Sequence, residues 1–278
     1  MSTVAISAQD INKLRQMTGA GMMDCRKALT ETNGDFEEAI DWLRKQGQKV
    51  AAKRSDREAK EGVVIAKTTD DHKSGIVVCV SCETDFVSKN ADFIAFGQSI
   101  ADAAIANDVK SLDELMTTKA GNSTVTELVN EKLASIGEKI GVTKFERIDA
   151  GYVSSYIHGA NRIGVLVGLN KEAATAGKDV AMQIAALNPV AVDAASVPAD
   201  IIAREKDIIM ELMKQDPKMA GKPEEMMAKI ADGKMTAFFK EQTLTAQPFV
   251  KDGSKSVADY LKEAGDVKVT AFKRVALG

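Results

Sequence analysis

Histidine and cysteine are scarce in this chain. Two His and three Cys stand among 278 residues, so the usual makings of a metal site or a nucleophilic catalyst are thin. The cysteines, Cys25, Cys79 and Cys82, are odd in number, which argues for free thiols in a reducing cytosol rather than a closed disulfide framework. No run approaches 18 apolar residues, so no membrane-spanning helix is expected. The opening MSTVAISAQDINKL lacks a basic head followed by a long apolar stretch and does not read as a secretory signal. The expected location is the cytoplasm. A large excess of one charge is also missing: the net charge is −3, which speaks against a protein whose main task is to cover phosphate backbones. No G-x-x-x-x-G-K-[ST] occurs, and with it goes the loop that cradles a nucleotide in the P-loop manner. No cofactor and no metal are expected.

What is present is an ordinary globular composition, 45% apolar and 28% charged, with few aromatics (5%) and 12 methionines. Residues 7–47 read as three short helices. Ser7 with Asp10 forms a capping pair, Ile11, Leu14 and Met17 recur at helical spacing, and Gly19 stops the first helix. The second places Met22, Cys25, Ala28 and Leu29 on one face. Asn33-Gly34 is a turn, and the third helix runs from Asp35 to a stop at Gly47. Lys49, Lys53, Arg54, Arg57 and Lys60 then form a charged linker.

The period changes in the middle of the chain. Strands are expected at Gly62–Thr68 and from Gly75, joined by the turn Asp70–Lys73, with a helix from about Asn90 and further helices near 111–117 and 123–136. The pattern returns in a strand from Gly151, a turn at His158–Asn161, a strand from Gly164 and a helix at about Lys178–Leu187. The glycines opening each strand pair stand 13 residues apart in both copies, and the copies are offset by 89 residues. This is the signature of an internal duplication of an α+β unit, a hairpin packed under a helix. Into the second copy falls an antiparallel helical hairpin, from Pro198 through the turn Asp216–Pro223 to about residue 240. A short helix near Ser256–Ala264 and a last strand, Val267–Val275, follow. The expected division is 1–54 (docking module with linker), 55–148 and 149–278, with the insertion at about 198–240.

The motifs that catch the eye carry little chemistry. The G-x-G within Thr18–Met23 has a helix before it and Asp24 in the third position, so a helix–helix turn explains it better than a dinucleotide loop. Cys79 and Cys82 form a C-x-x-C at a strand end, where positions i and i+3 face opposite ways, so structural cysteines are the better reading. His72 and His158 sit in hairpin turns, where a lone histidine is usually a surface residue. Glu83-Thr84-Asp85-Phe86-Val87 joins a strand to a helix. By pattern alone, Asp85 orders the turn and Phe86 is buried against the helix.

Three segments resemble bacterial translation elongation factor Ts: Thr18 to Leu29 (TGAGMMDCRKAL), Cys82 to Val87 (CETDFV) and Tyr156 to Val167 (YIHGANRIGVLV, one residue longer at Asn161 than the family's usual form). They come in the family's order, and the resemblance covers essentially the whole chain. It implies a UBA-like three-helix module, a duplicated α+β core and a helical arm. It implies a guanine-nucleotide exchange factor, not an enzyme with catalytic residues of its own, whose partner is elongation factor Tu in its GDP-bound and nucleotide-free forms. Thr84, Asp85, Phe86 and Val87 would dislodge Mg²⁺ in the partner. Met22, Met23, Arg26 and Arg54 would contact its nucleotide domain, and Ile136, His158 and Val250 would make core contacts. Some relatives continue into a further helical segment, whereas this sequence stops at Gly278, shortly after its last strand. Neither a membrane nor direct nucleic-acid binding is expected, and self-association through the arm is left open. The alternative is an RNA-binding accessory protein using the basic linker.

Overall fold

The computed structural model describes residues 6–54, 56–219 and 222–278. Sequence signals at residues 1–5, at Ser55 and at Gly221 lie outside them, as does the Lys53 side chain. Helix α1 (Ala8–Thr18) opens with the anticipated capping box, in which the Asp10 amide donates to Ser7 Oγ and the Ser7 amide donates to Asp10 Oδ2. Gly19 caps it in the left-handed region, its N–H donating to the Arg15 carbonyl. Helices α2 (Met22–Glu31) and α3 (Phe36–Lys53) close the module around Leu14, Cys25, Ala28, Leu29 and Ala39. Met22 does not share the buried face of α2, being half exposed.

Helix α3 does not stop at Gly47, and much of the expected linker is helical instead. A Cβ at position 47 would lie 3.1 Å from the Asn130 carbonyl oxygen. The glycine therefore serves close packing against the later helix Val125–Ile136 rather than termination. Around that contact, Arg44 donates to Glu131 and Ser123, and Ser135 Oγ donates to the Gly19 carbonyl at 2.6 Å. The module is thus fastened to the body by packing and by charge-assisted hydrogen bonds.

The body is two copies of one α+β plan. In the first, β1 (Glu61–Thr68) and β2 (Ser74–Cys82) form a hairpin, followed by the short helix α4 (Asp85–Ser88) and α5 (Ala91–Ala106). After α6 (Leu112–Thr117), the two-residue strands β3 (Lys119–Ala120) and β4 (Ser123–Thr124), and α7 (Val125–Ile136), the chain returns as β5 (Gly141–Asp149), which pairs with β2. In the second, β6 (Tyr152–His158) and β7 (Ile163–Leu169) form the hairpin and α8 (Ala174–Leu187) the helix. The chain then passes through α9 (Ala199–Gln215), α10 (Glu224–Gln242), β8 (Pro248–Phe249), β9 (Asp252–Ser256) and α11 (Val257–Glu263). It comes back as β10 (Val269–Ala276), paired with β7. The sheet orders β1-β2-β5 and β6-β7-β10 are the same plan: a hairpin, a helix, an excursion, and a third strand against the second.

Each sheet buries one face under its helix, with Phe93 and Ile100 of α5 over the first and Val180 and Ile184 of α8 over the second. The other faces meet through Val64, Val77, Cys79, Ile148, Val153, Leu166 and Val275. The result is four layers, helix, sheet, sheet, helix. The duplication shows atom by atom where the sheets join. The Val64 amide donates to the Asn161 carbonyl at 2.7 Å, and 89 residues on, the Val153 amide donates to the His72 carbonyl at 2.7 Å. Side chains repeat the exchange: Asn161 Nδ2 donates to the Val64 carbonyl, and His72 Nδ1 lies 3.2 Å from the Val153 carbonyl. Both turn residues take positive φ, 54° at His72 and 67° at Asn161. His72 is thus no idle surface residue: half-buried and stacked on Tyr152, it bonds one hairpin to the other. Asn161, the additional residue in its turn, is its counterpart.

Gly75 and Gly164, also 89 residues apart, allow this approach. A Cβ at Gly75 would stand 2.8 Å from Val153 Cγ1, and one at Gly164 2.6 Å from Val64 Cγ1. Gly164→Ala should therefore cost about 1–3 kcal/mol by overpacking. The check is the urea unfolding midpoint, which should fall with little change in slope.

Candidate functional site

Strand β2 delivers Glu83 and Thr84 to the rim of the first sheet, and α4 then presents Phe86 with 84% of its surface exposed. The expectation that Phe86 is buried against the following helix is overturned. Val87, next in sequence, packs on the first core instead. A four-residue helix points neighbouring side chains about 100° apart, so seating the half-buried Val87 on the core leaves Phe86 outward. Asp85 pairs with Lys89 at 2.7 Å, and this partner holds its carboxyl below the usual carboxylate range.

A ledge this short has little stability of its own, and long-range bonds hold it. The Thr84 amide donates to Glu138 Oε2 at 3.1 Å and Thr84 Oγ1 donates to Glu138 Oε1 at 2.7 Å. In return, the Lys139 amide donates to Glu83 Oε1 at 2.6 Å. Glu83 also receives Arg57 at 3.1 Å and Arg54 at 3.5 Å. Glu138 had no signal in its local sequence, because its partner lies 54 residues away.

Of the other anticipated residues, Arg54 is bonded at the ledge itself, through Glu83. Met22 and Met23 are exposed at the start of α2. They lie just past the turn whose Gly19 carbonyl is bonded to Ser135, next to the half-buried Ile136. Glu138 follows two residues on and holds Thr84, so the end of α7 and the residue after its cap are bonded to the α1–α2 turn on one side and to the ledge on the other. Arg26 is exposed on α2, whereas Arg54 is engaged with Glu83. His158 is exposed, its Nδ1 3.1 Å from Tyr156 Oη. Its turn reaches the same end of the double sheet, since Arg162 pairs with Glu61, which stands opposite Cys82. Val250 belongs to a different place, a loop on the second unit held by its amide's bond to the buried Gln183.

The basic stretch is partly committed elsewhere: Arg54 and Arg57 pair with Glu83, and Lys60 with Glu58. Cys79 and Cys82 face opposite ways as expected, Cys79 into the core between the sheets and Cys82 into the core under α5. Burial raises both thiols, and with the Glu138 charge it pushes Cys82 up to about 12. Neither is a ready thiolate at neutral pH. No helix among the described residues is long and apolar enough to cross a membrane.

Residues 83–278 match the family described as Elongation factor TS. The chain is 46% identical over 277 residues to elongation factor Ts of Christiangramia forsetii, covering 98% of this chain and 99% of that one. It is 44% identical to that of Flavobacterium psychrophilum, with the same coverage. To that of Amoebophilus asiaticus it is 45% identical, over 99% of this chain and all of the other. A duplicated α+β body with a helical arm, matched along its length to such relatives, is a bacterial translation elongation factor. Within that class, the chain belongs to the elongation factor Ts family.

The Lys139 amide, followed by Arg57, holds the Glu83 carboxyl below its ordinary value. Stabilisation from a group depressed on folding is complete above its unfolded value and is lost as pH falls through the folded one. The stability gap between the wild type and Glu83→Gln should thus be widest near neutrality and shrink as pH falls below the ordinary carboxylate range, as read from urea midpoints from neutral to acid pH.

Proposed function

We propose that this protein is the guanine-nucleotide exchange factor of elongation factor Tu, binding the GDP-bound GTPase, displacing its Mg²⁺ and promoting GDP release. The observation that carries this is Phe86, an aromatic ring exposed on a ledge fixed by Glu83 and Glu138. Solvent-facing aromatics on rigid supports are what binding hot spots are made of. Membership of the elongation factor Ts family supports the same reading.

A GTPase holds GDP largely through Mg²⁺ and P-loop amides. A wedge that disturbs either one lowers nucleotide affinity without catalytic side chains of its own, provided it binds the open, nucleotide-free partner better than the closed one. Linkage then makes the effect reciprocal: bound GDP weakens the grip of the factor by the same ratio. In this scheme Thr84, Asp85, Phe86 and Val87 act on the Mg²⁺ site, with Phe86 entering the nucleotide domain. Met22, Met23, Arg26 and Arg54 dock the first module (1–54) on that domain. Ile136 and His158 engage the partner from the core, His158 on a different domain, and Val250 does so from the second unit (149–278). The unit 55–148 carries the ledge, and the insertion at 198–240 projects as an arm.

Release of a fluorescent GDP analogue from purified elongation factor Tu should accelerate with substoichiometric amounts of this protein. No acceleration by folded protein with its matched partner would overturn the proposal. Phe86→Ala should fold normally and lower the acceleration by about 30-fold, the kinetic equivalent of ~2 kcal/mol at a hot spot. Deleting residues 200–240 should leave partial activity, measured in the same assay.

A further inference from the structure

We infer that Glu138 is a positioning residue for the exchange segment: it sets the pose of Asp85 and Phe86 without touching the partner. This rests on the exchange function proposed above. The N-cap residue of α4, Thr84, makes no capping bond with its own side chain; its hydroxyl is engaged by a residue from a distant part of the chain instead. That residue is Glu138, which receives both the amide and the hydroxyl of Thr84 on its two carboxylate oxygens. Two bonds to one residue fix orientation as well as location.

Glu138 is itself well placed to do this. It follows Gly137, the left-handed cap of α7, whose N–H bonds the Leu133 carbonyl. The direction of its backbone is thus set by a helix end packed into the first core. The bonding is crossed: Glu138 takes the Thr84 amide while Glu83 takes the Lys139 amide at 2.6 Å. Each strand of the clamp supplies a carboxylate to the other's backbone. Rotation of the Glu83–Thr84 segment therefore breaks bonds on both sides. Phe86 is two residues beyond Thr84 and has no burial of its own to hold it. Val87 packed on the core turns it outward, and the clamp fixes the backbone from which both residues project. A shift of about 1 Å in a reacting group can cost on the order of 100-fold in rate, and a supporting shell prevents such shifts.

The test measures GDP-analogue release from elongation factor Tu against the concentration of this protein, giving a maximal rate and a half-saturating concentration. Glu138→Ala should lower the maximal rate by about 10- to 100-fold while half-saturation stays within about twofold, because docking through other residues is untouched. Glu138→Gln should recover most of the rate. Its carbonyl accepts from the Thr84 amide, and its NH₂ donates to the Thr84 hydroxyl, which can turn to accept. Phe86→Ala combined with Glu138→Ala should be little worse than Phe86→Ala alone, since both act through one ring. An unchanged maximal rate, a loss in half-saturation alone, or a Gln variant as poor as Ala would overturn the inference. Amide exchange gives a readout independent of the partner: Glu138→Ala should speed exchange at Thr84–Ser88 and leave β1 and β2 protected. If the wild type fails to accelerate release, the proposed function falls, and the clamp is judged on this readout. Unaltered protection at Thr84–Ser88 would sink it there too.

Discussion

The molecule depends on one reciprocal contact, the turn of each hairpin bonded to the first strand of the other. His72 and Asn161 accept from Val153 and Val64 at the same distance and in the same backbone conformation. An edge strand exposes unpaired amides and carbonyls that must be satisfied or covered. Here each unit covers the other's edge. The apolar faces between them close on this contact, and Gly75 and Gly164 let the backbones come near enough for valines to interlock. Because the contact is made twice by one rule, the two sheets have a defined mutual angle. Everything attached to either sheet inherits that frame.

The three-helix module and the Thr84–Val87 ledge hang on the same frame by different means. The module is held by apolar packing of α3 on α7 together with the Arg44 bonds. The ledge is held by charge and hydrogen bonds, with Glu83 and Glu138 as acceptors. Arg54, at the end of α3, ion-pairs with Glu83 beside the ledge. A charge pair less than a quarter exposed on either side is screened less than one in open water, so the module and the ledge are electrostatically coupled neighbours.

Much of this was legible before any coordinates. The paired glycines, the two hairpins, the duplication and the inserted helical hairpin follow from spacing and period. The third strand of the first unit was not legible. β5 mixes exposed, half-buried and buried positions, with Val142 and Ile148 its buried residues, and so lacks the clean alternation that marks a strand facing water on one side. Gly47 read as a helix stop because local sequence does not reveal that α7 packs there. By pattern Phe86 belongs to the core, as aromatics between a strand and a helix usually do; it is exposed because the half-buried Val87 is the residue that packs on the core. Of the site, the segment Glu83–Val87 stood out as a motif, while Glu138, which holds it, had nothing local to mark it. Asn161, an additional residue in its turn, occupies the position equivalent to His72 and makes the equivalent bonds, to Val64.

The arm enters and leaves the second unit at almost a single point. The Val190 amide bonds the Gln242 carbonyl, the Leu244 amide bonds the Ala191 carbonyl, and Ala191 pairs with Thr243 as a parallel bridge. The roughly fifty residues between those anchors make their own core from Ile209, Met213 and Met235. Such a segment is a cassette. Once its two ends are clasped, the body sees the same short gap whether the hairpin above is long, short or replaced, and the entropy of closing that gap grows slowly with what is inserted. Selection can therefore rewrite the arm's length and surface without renegotiating the fold beneath it, which makes this the part of the molecule most open to divergence.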